Sequence, residues 1–349
     1  MKQIHIGHHF YGSGNLGDDL MLDGFLSQFT TTEATFSCCT PYESKQLENR
    51  FPQIKWLPYT DKDRLKAIKE SDIWLGLGGS PFQNSVSPWF TEHLVTEANL
   101  CTRSKTPMLY LGIGSQDKEA FNDTRLMGVI NQSKRIWTRD EATHSKLLSH
   151  GLSKDQALIG SDLAHICFSN YCISTPKPGR ITATLNFDYS DWDNLMPTLQ
   201  ALDNTIYSEK IWLIQEMRNL KGAEQYLYNL LPPDLQKNWV PQFADYAFKS
   251  MQEVVSLWPS SEWALSSRYH TTLASAWAGS KVVVIATNDK LKHGAIECGY
   301  PFLDKSSSPK QIIKALQSST IPSQNEMIKR ANLAKTAVNE FKAFIIQEC

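Results

Sequence analysis

Short apolar runs alternate with amphipathic stretches along nearly the whole chain, and this constrains the fold more than any other feature of the sequence. Residues 2–7 read as a strand and 19–29 as a helix, with Leu20, Met21, Phe25 and Leu26 on one face. Further strands are expected at 34–38, 72–77, 108–112 and 135–138, with helices at 62–70, 91–103, 123–132 and 141–150. Strands and helices at this spacing form parallel βαβ units, with the sheet covered on both faces. Ser174-Thr175-Pro176-Lys177-Pro178-Gly179 then breaks the pattern, because it suits neither a helix nor a central strand. Beyond it the alternation restarts, with strands at 181–185, 210–214, 262–266 and 281–285 and helices at 192–207, 223–230, 247–257, 273–279 and 310–317. At the end, Met327, Ala331, Ala334, Val338, Phe341 and Ile345 recur at helical spacing. The expected architecture is two Rossmann-like domains, 1–173 and 180–320, facing across a cleft, with a long C-terminal helix at 321–349 packing on or across them. Ligands of such sheets bind at the carboxyl ends of the strands, so the chemistry is sought there.

Composition narrows the function. The 349 residues carry 35 Lys+Arg against 36 Asp+Glu, a net charge of -1 that excludes a generally basic nucleic-acid coat. The seven cysteines form no Cys-x-x-Cys pair, so reduced thiols are expected rather than a disulfide framework or a structural zinc site. No apolar run reaches the ~18 residues that span a bilayer. A cytoplasmic location is expected, at the inner face of the membrane where a substrate is lipid-linked.

Four segments are candidates for chemistry. Gly12-Ser13-Gly14-Asn15-Leu16-Gly17 matches G-x-G-x-x-G literally, but four bulky residues separate it from the first strand. Asp18 and Asp19 also put carboxylates where a pyrophosphate would sit. A Gly-rich turn with an Asp cap, a dinucleotide site, or a substrate loop using Asn15 and Asp18 on sugar hydroxyls are the alternatives, the last fitting best. Gly78-Gly79-Ser80, echoed by Gly112-Ile113-Gly114, ends an apolar strand and either admits a ligand close to the backbone or packs loops together. Arg139 opens a helix beside Asp140, either as a surface ion pair or as a guanidinium fork for an anion. The strongest segment is Ser266-Ser267-Arg268-Tyr269-His270, followed by a small-residue helix. An extended backbone there points Arg268 and His270 the same way, beside a helix N-terminus, and the next strand brings Lys290 to the neighbouring strand end. A fixed cation beside a group titrating near neutrality suits acid–base work on an anion. Trp89 and Phe90 offer a stacking face for a sugar ring.

In order, these segments resemble the polysaccharide pyruvyl transferase family. The family's Gly-Asn-x-Gly-Asp loop corresponds to Gly14-Asn15-Leu16-Gly17-Asp18, and its Gly-rich Ser turn to Leu77-Gly78-Gly79-Ser80. Arg139-Asp140, Asp162-Leu163-Ala164 and Arg268-Tyr269-His270 follow, then Asn288-Asp289-Lys290 through Cys298-Gly299. Asp289-Lys290 lacks the family's intervening proline, and residues 174–258 match no motif. The resemblance implies a GT-B-like fold and transfer of the enolpyruvyl group of phosphoenolpyruvate to a saccharide diol, or to its lipid-linked precursor, giving a pyruvate ketal. It implies His270 as acid–base catalyst, Arg139, Arg268 and Lys290 on the donor, and Asn15, Asp18, Gly14, Gly17, Gly78, Gly79 and Ser80 around the acceptor. Phosphoenolpyruvate is then a co-substrate, with no metal or other cofactor expected. A nucleotide-sugar glycosyltransferase or a non-catalytic saccharide-binding protein of the same fold is the alternative.

Overall fold

The computed structural model describes all residues except 43, 85–87, 117–118, 172, 187–191, 204–206, 217–219, 244–248 and 348–349. Parts of the expected helices at 192–207 and 247–257 therefore lie outside the described residues. The chain forms two units. The first comprises Met1–Gly12, Asp18–Ser169 and Lys329–Cys349, and the second Ser13–Gly17 and Asn170–Ile328.

The first unit holds a seven-stranded parallel sheet built from β1 (Lys2–Ile6), β2 (Ala34–Thr40), β3 (Ile54–Pro58), β4 (Ile73–Leu77), β5 (Met108–Ile113), β6 (Arg135–Thr138) and β7 (Ala157–Ile159). Its order is β3-β2-β1-β4-β5-β6-β7, so the direction of winding reverses between β1 and β4. β4 and β5 are buried at every position, which their continuous apolar sequences require. Polar residues punctuate the helices. Thr60, Asp123 and Asp140 each accept a backbone N–H of the helix they precede.

The second unit holds a six-stranded parallel sheet built from β8 (Lys177–Thr184), β9 (Glu209–Ile214), β10 (Trp239–Phe243), β11 (Ser261–Ser266), β12 (Lys281–Ala286) and β13 (Phe302–Asp304). The order β10-β9-β8-β11-β12-β13 places its reversal between β8 and β11. The break at 174–179 differs from expectation. Lys177, Pro178 and Gly179 open the central strand β8, where the pairing with β11 shifts register between Ser261 and Trp263. Proline is tolerated because this end is exposed and irregular.

The helix Gln324–Gln347 begins in the second unit and runs on in the first. All six residues of its apolar stripe are buried. Within the first unit Phe341 meets Phe25 and Trp137 edge-on, and Trp137 donates its indole N–H to Glu340 at 2.9 Å. Phe341→Ala should cost about 3–5 kcal/mol by removing a fully buried ring, read as a lowered urea midpoint.

Behind the reversal of the first sheet lies a histidine-rich interior. Glu97, in the helix Pro88–Ser104, accepts from Arg64 at 2.8 Å and from the Trp74 indole at 2.7 Å. His5, His8, His9 and His93 lie in the same unit. Burial pushes His5 and His93 down to about 4, and His8 and His9 down to about 3. All four are neutral when folded, whereas the unfolded chain protonates them near about 6.5. Below that pH the unfolded state binds more protons, so stability falls as the pH falls until the folded values are reached. The urea midpoint should therefore drop steeply between about pH 6.5 and pH 4, each histidine contributing at most about 3 kcal/mol. A His8→Gln variant should show a shallower dependence over the same range.

Candidate active site

The carboxyl end of β11 turns into the helix Tyr269–Ala278 with Arg268 as its extended N-cap residue. The helix opens at Tyr269 rather than near Leu273, so Arg268 and His270 do not project together from an extended strand as expected. Thr271 and Thr272 sit in its first turn, where the Thr272 hydroxyl donates to Arg268 O at 2.8 Å. Arg268 gives no side-chain cap to the first-turn N–H groups. These donors lie at the reversal point of the second sheet, the position at which such sheets take up ligands. Ser267 ties the two strands there: its hydroxyl accepts Asn186 N–H and donates to Asn186 Oδ1, both at 2.7 Å.

His270 is buried, and the loop Ser13–Gly17 packs directly upon it. A methyl group at Gly17 would lie 2.0 Å from His270 Nδ1, so only glycine permits this approach. The loop is held by polar contacts within the second unit. Asn15 pairs with Glu216 as an isolated antiparallel bridge. Asn15 Oδ1 accepts from Gly17 N and from Gln215 Nε2, each at 3.3 Å, and Gln215 accepts from the Thr271 hydroxyl beside His270. Gly14 takes a left-handed turn, φ 91°, at the start of this hook.

The two expected guanidinium forks are both engaged with internal acids. Arg268 donates to the fully buried Glu224, with Nη2 3.3 Å from Oε2 and Nε on Oε1. Glu224 also accepts Glu216 N at 3.1 Å. Arg139, in the first unit and 2% exposed, donates to Asp162 at 3.3 Å and to the Ser80 hydroxyl at 2.7 Å. Asp162 in turn accepts Ala164 N at 3.0 Å. Gly78, Gly79 and Ser80, Arg139, and Asp162 thus interlock as one frame at the strand ends of the first sheet, where Gly78 and Gly79 both have positive φ. Asp18 also belongs to the first unit, while Gly14, Asn15, Gly17, Arg268, His270 and Lys290 belong to the second. Lys290 is in the first turn of the helix Asp289–Cys298, which follows the carboxyl end of β12, and its ammonium lies 5.2 Å from the centre of the Tyr269 ring.

At the reversal of the first sheet, His8 and Tyr11 fill the crevice. Both are fully buried, and both donate to Leu77 O, at 3.0 and 2.7 Å. Two of the four bulky residues after β1 therefore pack on the carboxyl end of β4. Gln215, Glu216 and Glu224 were not foreseen from the sequence. The available signal was a polar pair directly following the apolar strand β9, the same pattern that marks Ser266–Arg268. Among the described residues no cluster of His, Cys, Asp and Glu could hold a metal ion, and no helix is long and apolar enough to cross a membrane.

Two parallel sheets with these strand orders and a long terminal helix define a GT-B-like two-domain α/β fold, and solved structures agree. The UDP-GlcNAc 2-epimerase from Methanocaldococcus jannaschii superposes with a TM-score of 0.62 at 11% identity, over 98% of this chain and 99% of that one. The Neisseria meningitidis UDP-GlcNAc 2-epimerase bound to UDP-GlcNAc gives 0.61 at 10% identity, over the whole of both chains. Anabaena HepE in complex with UDP-glucose gives 0.58 at 10% identity, over 100% and 98%. No curated protein sequence matches the chain. The model of the polysaccharide pyruvyl transferase family matches residues 15–289, and the chain belongs to that family.

Removing Arg139 would strand the buried Asp162 carboxylate. Arg139→Ala should therefore cost about 3–5 kcal/mol of stability, seen in thermal and urea unfolding.

Proposed function

We propose that the protein transfers the enolpyruvyl group of phosphoenolpyruvate to two hydroxyls of a saccharide, forming a pyruvate ketal in the biosynthesis of a cell-surface polysaccharide. The observation that carries this reading is the buried imidazole of His270 under the Asn15–Gly17 hook, beside Arg268, all within the segment that matches the family. The donor is a small molecule with a carboxylate and a phosphate. Lys290, the first-turn N–H groups of the helix Tyr269–Ala278 and the outer edge of Arg268 are the groups proposed to hold it. Because Arg268 is paired with Glu224, its role is directional: the carboxylate fixes the fork. Arg139, committed to Asp162 and Ser80, is proposed to shape the Gly78–Gly79–Ser80 turn instead of binding the donor.

The chemistry balances as follows. A proton added to the methylene carbon turns it into a methyl group and leaves cationic character on the neighbouring carbon. One sugar hydroxyl bonds there, the carbon–oxygen bond to phosphate breaks, and the second hydroxyl closes the ring. One hydroxyl proton replaces that given to the methylene carbon, and the other leaves with phosphate. His270 is proposed to give the first proton and take one from a hydroxyl, as an imidazole can. Asn15 and Asp18, with the turns at Gly14, Gly17, Gly78, Gly79 and Ser80, are proposed to face the acceptor. A lipid-linked acceptor would bring the protein to the inner face of the membrane.

The fold is shared with proteins solved with UDP-GlcNAc and UDP-glucose, so the donor has to be tested directly. Phosphoenolpyruvate should raise the melting temperature while UDP-sugars do not. Stabilisation by UDP-sugars alone would overturn the proposal in favour of a glycosyltransferase. With donor and acceptor supplied, phosphate release should fall by about 10²–10⁴-fold in His270→Ala. Gly17→Ala, whose methyl group would drive the buried His270 ring from its place, should lower the melting temperature and lose about 10²-fold in phosphate release. Near-normal release by both variants would remove His270 from the mechanism.

A further inference from the structure

The first unit carries a surface that the proposed chemistry does not use. At the carboxyl ends of β2 and β3 an open cavity of about 490 Å³ is lined by uncharged residues, among them Thr40, Tyr42, Trp56 and Tyr59. The Trp56 indole N–H is buried and has no acceptor within the protein. Tyr59 continues the surface beyond the cavity. Its ring lies 4.5 Å from that of His9, and His9 lies 5.5 Å from Trp89, which is 53% exposed. Hydrogen bonds fix this arrangement. His93 donates through Nε2 to Gly7 O at 3.0 Å, which leaves Nδ1 to accept from the Tyr59 hydroxyl, also at 3.0 Å.

Indole and phenol rings offer apolar faces, and a pyranose offers apolar C–H faces of similar size with hydroxyls around the rim. The buried Trp56 N–H supplies one donor for such a hydroxyl. His9 is neutral, its value lowered to about 3 chiefly by burial, and adds no charge. A phosphate or nucleotide would need an available cation; the cavity lining provides none, and Arg64, whose guanidinium lies 4.9 Å from the centre of the Tyr59 ring, is paired with Glu97.

We propose that Tyr42, Trp56, Tyr59, His9 and Trp89 form a binding track for a neutral oligosaccharide, with Trp56 Nε1 donating to a sugar hydroxyl. The proposal rests on the pyruvyltransferase reading only in identifying that oligosaccharide with the body of the acceptor.

The track is tested without donor, by titrating the full-length protein with maltotriose, cellotriose, mannotriose and galactotriose and following tryptophan fluorescence and saturation-transfer NMR. At least one trisaccharide should bind saturably. Trp89→Ala, at an exposed position, and Trp56→Ala should each weaken it about tenfold, while Leu257→Ala, exposed in the second unit and outside the track, leaves it unchanged. If Trp56→Ala does not fold, Trp56→Phe keeps a ring but loses the N–H and should still weaken binding measurably. Failure of all four sugars to bind, unchanged affinity in the tryptophan variants, or displacement of the sugar by UMP would each overturn the track. Binding is read apart from turnover, so an inactive protein that binds sugar in this way would sink the ketal reaction and leave the track standing.

Discussion

A parallel sheet covered by helices on both faces has no polar surface of its own except at the ends of its strands. That constraint organises this protein. β4, β5 and the interior of β12 bury every side chain, so hydrogen-bonding and charged groups collect where the strands stop. Each sheet reverses its winding at one point, and the two points are used differently. Between β1 and β4 the crevice is closed by His8 and Tyr11, both on Leu77 O. Between β8 and β11 lie Asn186, Ser267 and the start of the His270 helix, which the Arg268 side chain does not cap.

The same constraint explains which strands the sequence reveals. The central strands were recognisable because burial on both faces demands an uninterrupted apolar run. β3, β7, β10 and β13 were not anticipated, and these are the four edges of the two sheets. An edge strand has half its surroundings missing, so Lys55 and Pro58 in β3 and Pro241 and Gln242 in β10 are tolerated, and β7 and β13 shrink to three residues. The terminal helix was legible for the opposite reason: one strict stripe from Met327 to Ile345 admits only one buried face.

At the candidate site, the motif residues were legible and their partners were not. Gly14, Asn15, Gly17, Arg268 and His270 stand out because a polar, glycine-rich stretch interrupts an apolar pattern. Glu224 opens an ordinary short helix and shows nothing in sequence of its burial against Arg268. Ion pairing is decided by tertiary distance, which spacing along the chain does not encode. The same blindness applies to Arg139: Arg-Asp beside a strand end suits a surface pair or an anion fork equally, and only the approach of Asp162 and Ser80 makes it an internal tie.

The commitment of Arg268 changes how anion recognition has to work in the proposed reaction. A guanidinium already facing a buried carboxylate brings little net charge, so attraction of a trianionic donor cannot come mainly from it. Its contribution is geometric: both Glu224 oxygens are engaged, by Arg268 and by Glu216 N–H, and neither side chain can swing to follow a ligand. The charge then has to be met by Lys290 and by the helix N–H groups beside His270. Tyr269, wedged against Gly294 with Lys290 over its ring, couples those two contributors. An imidazole set among such groups would have its cation favoured once the donor's negative charge arrives.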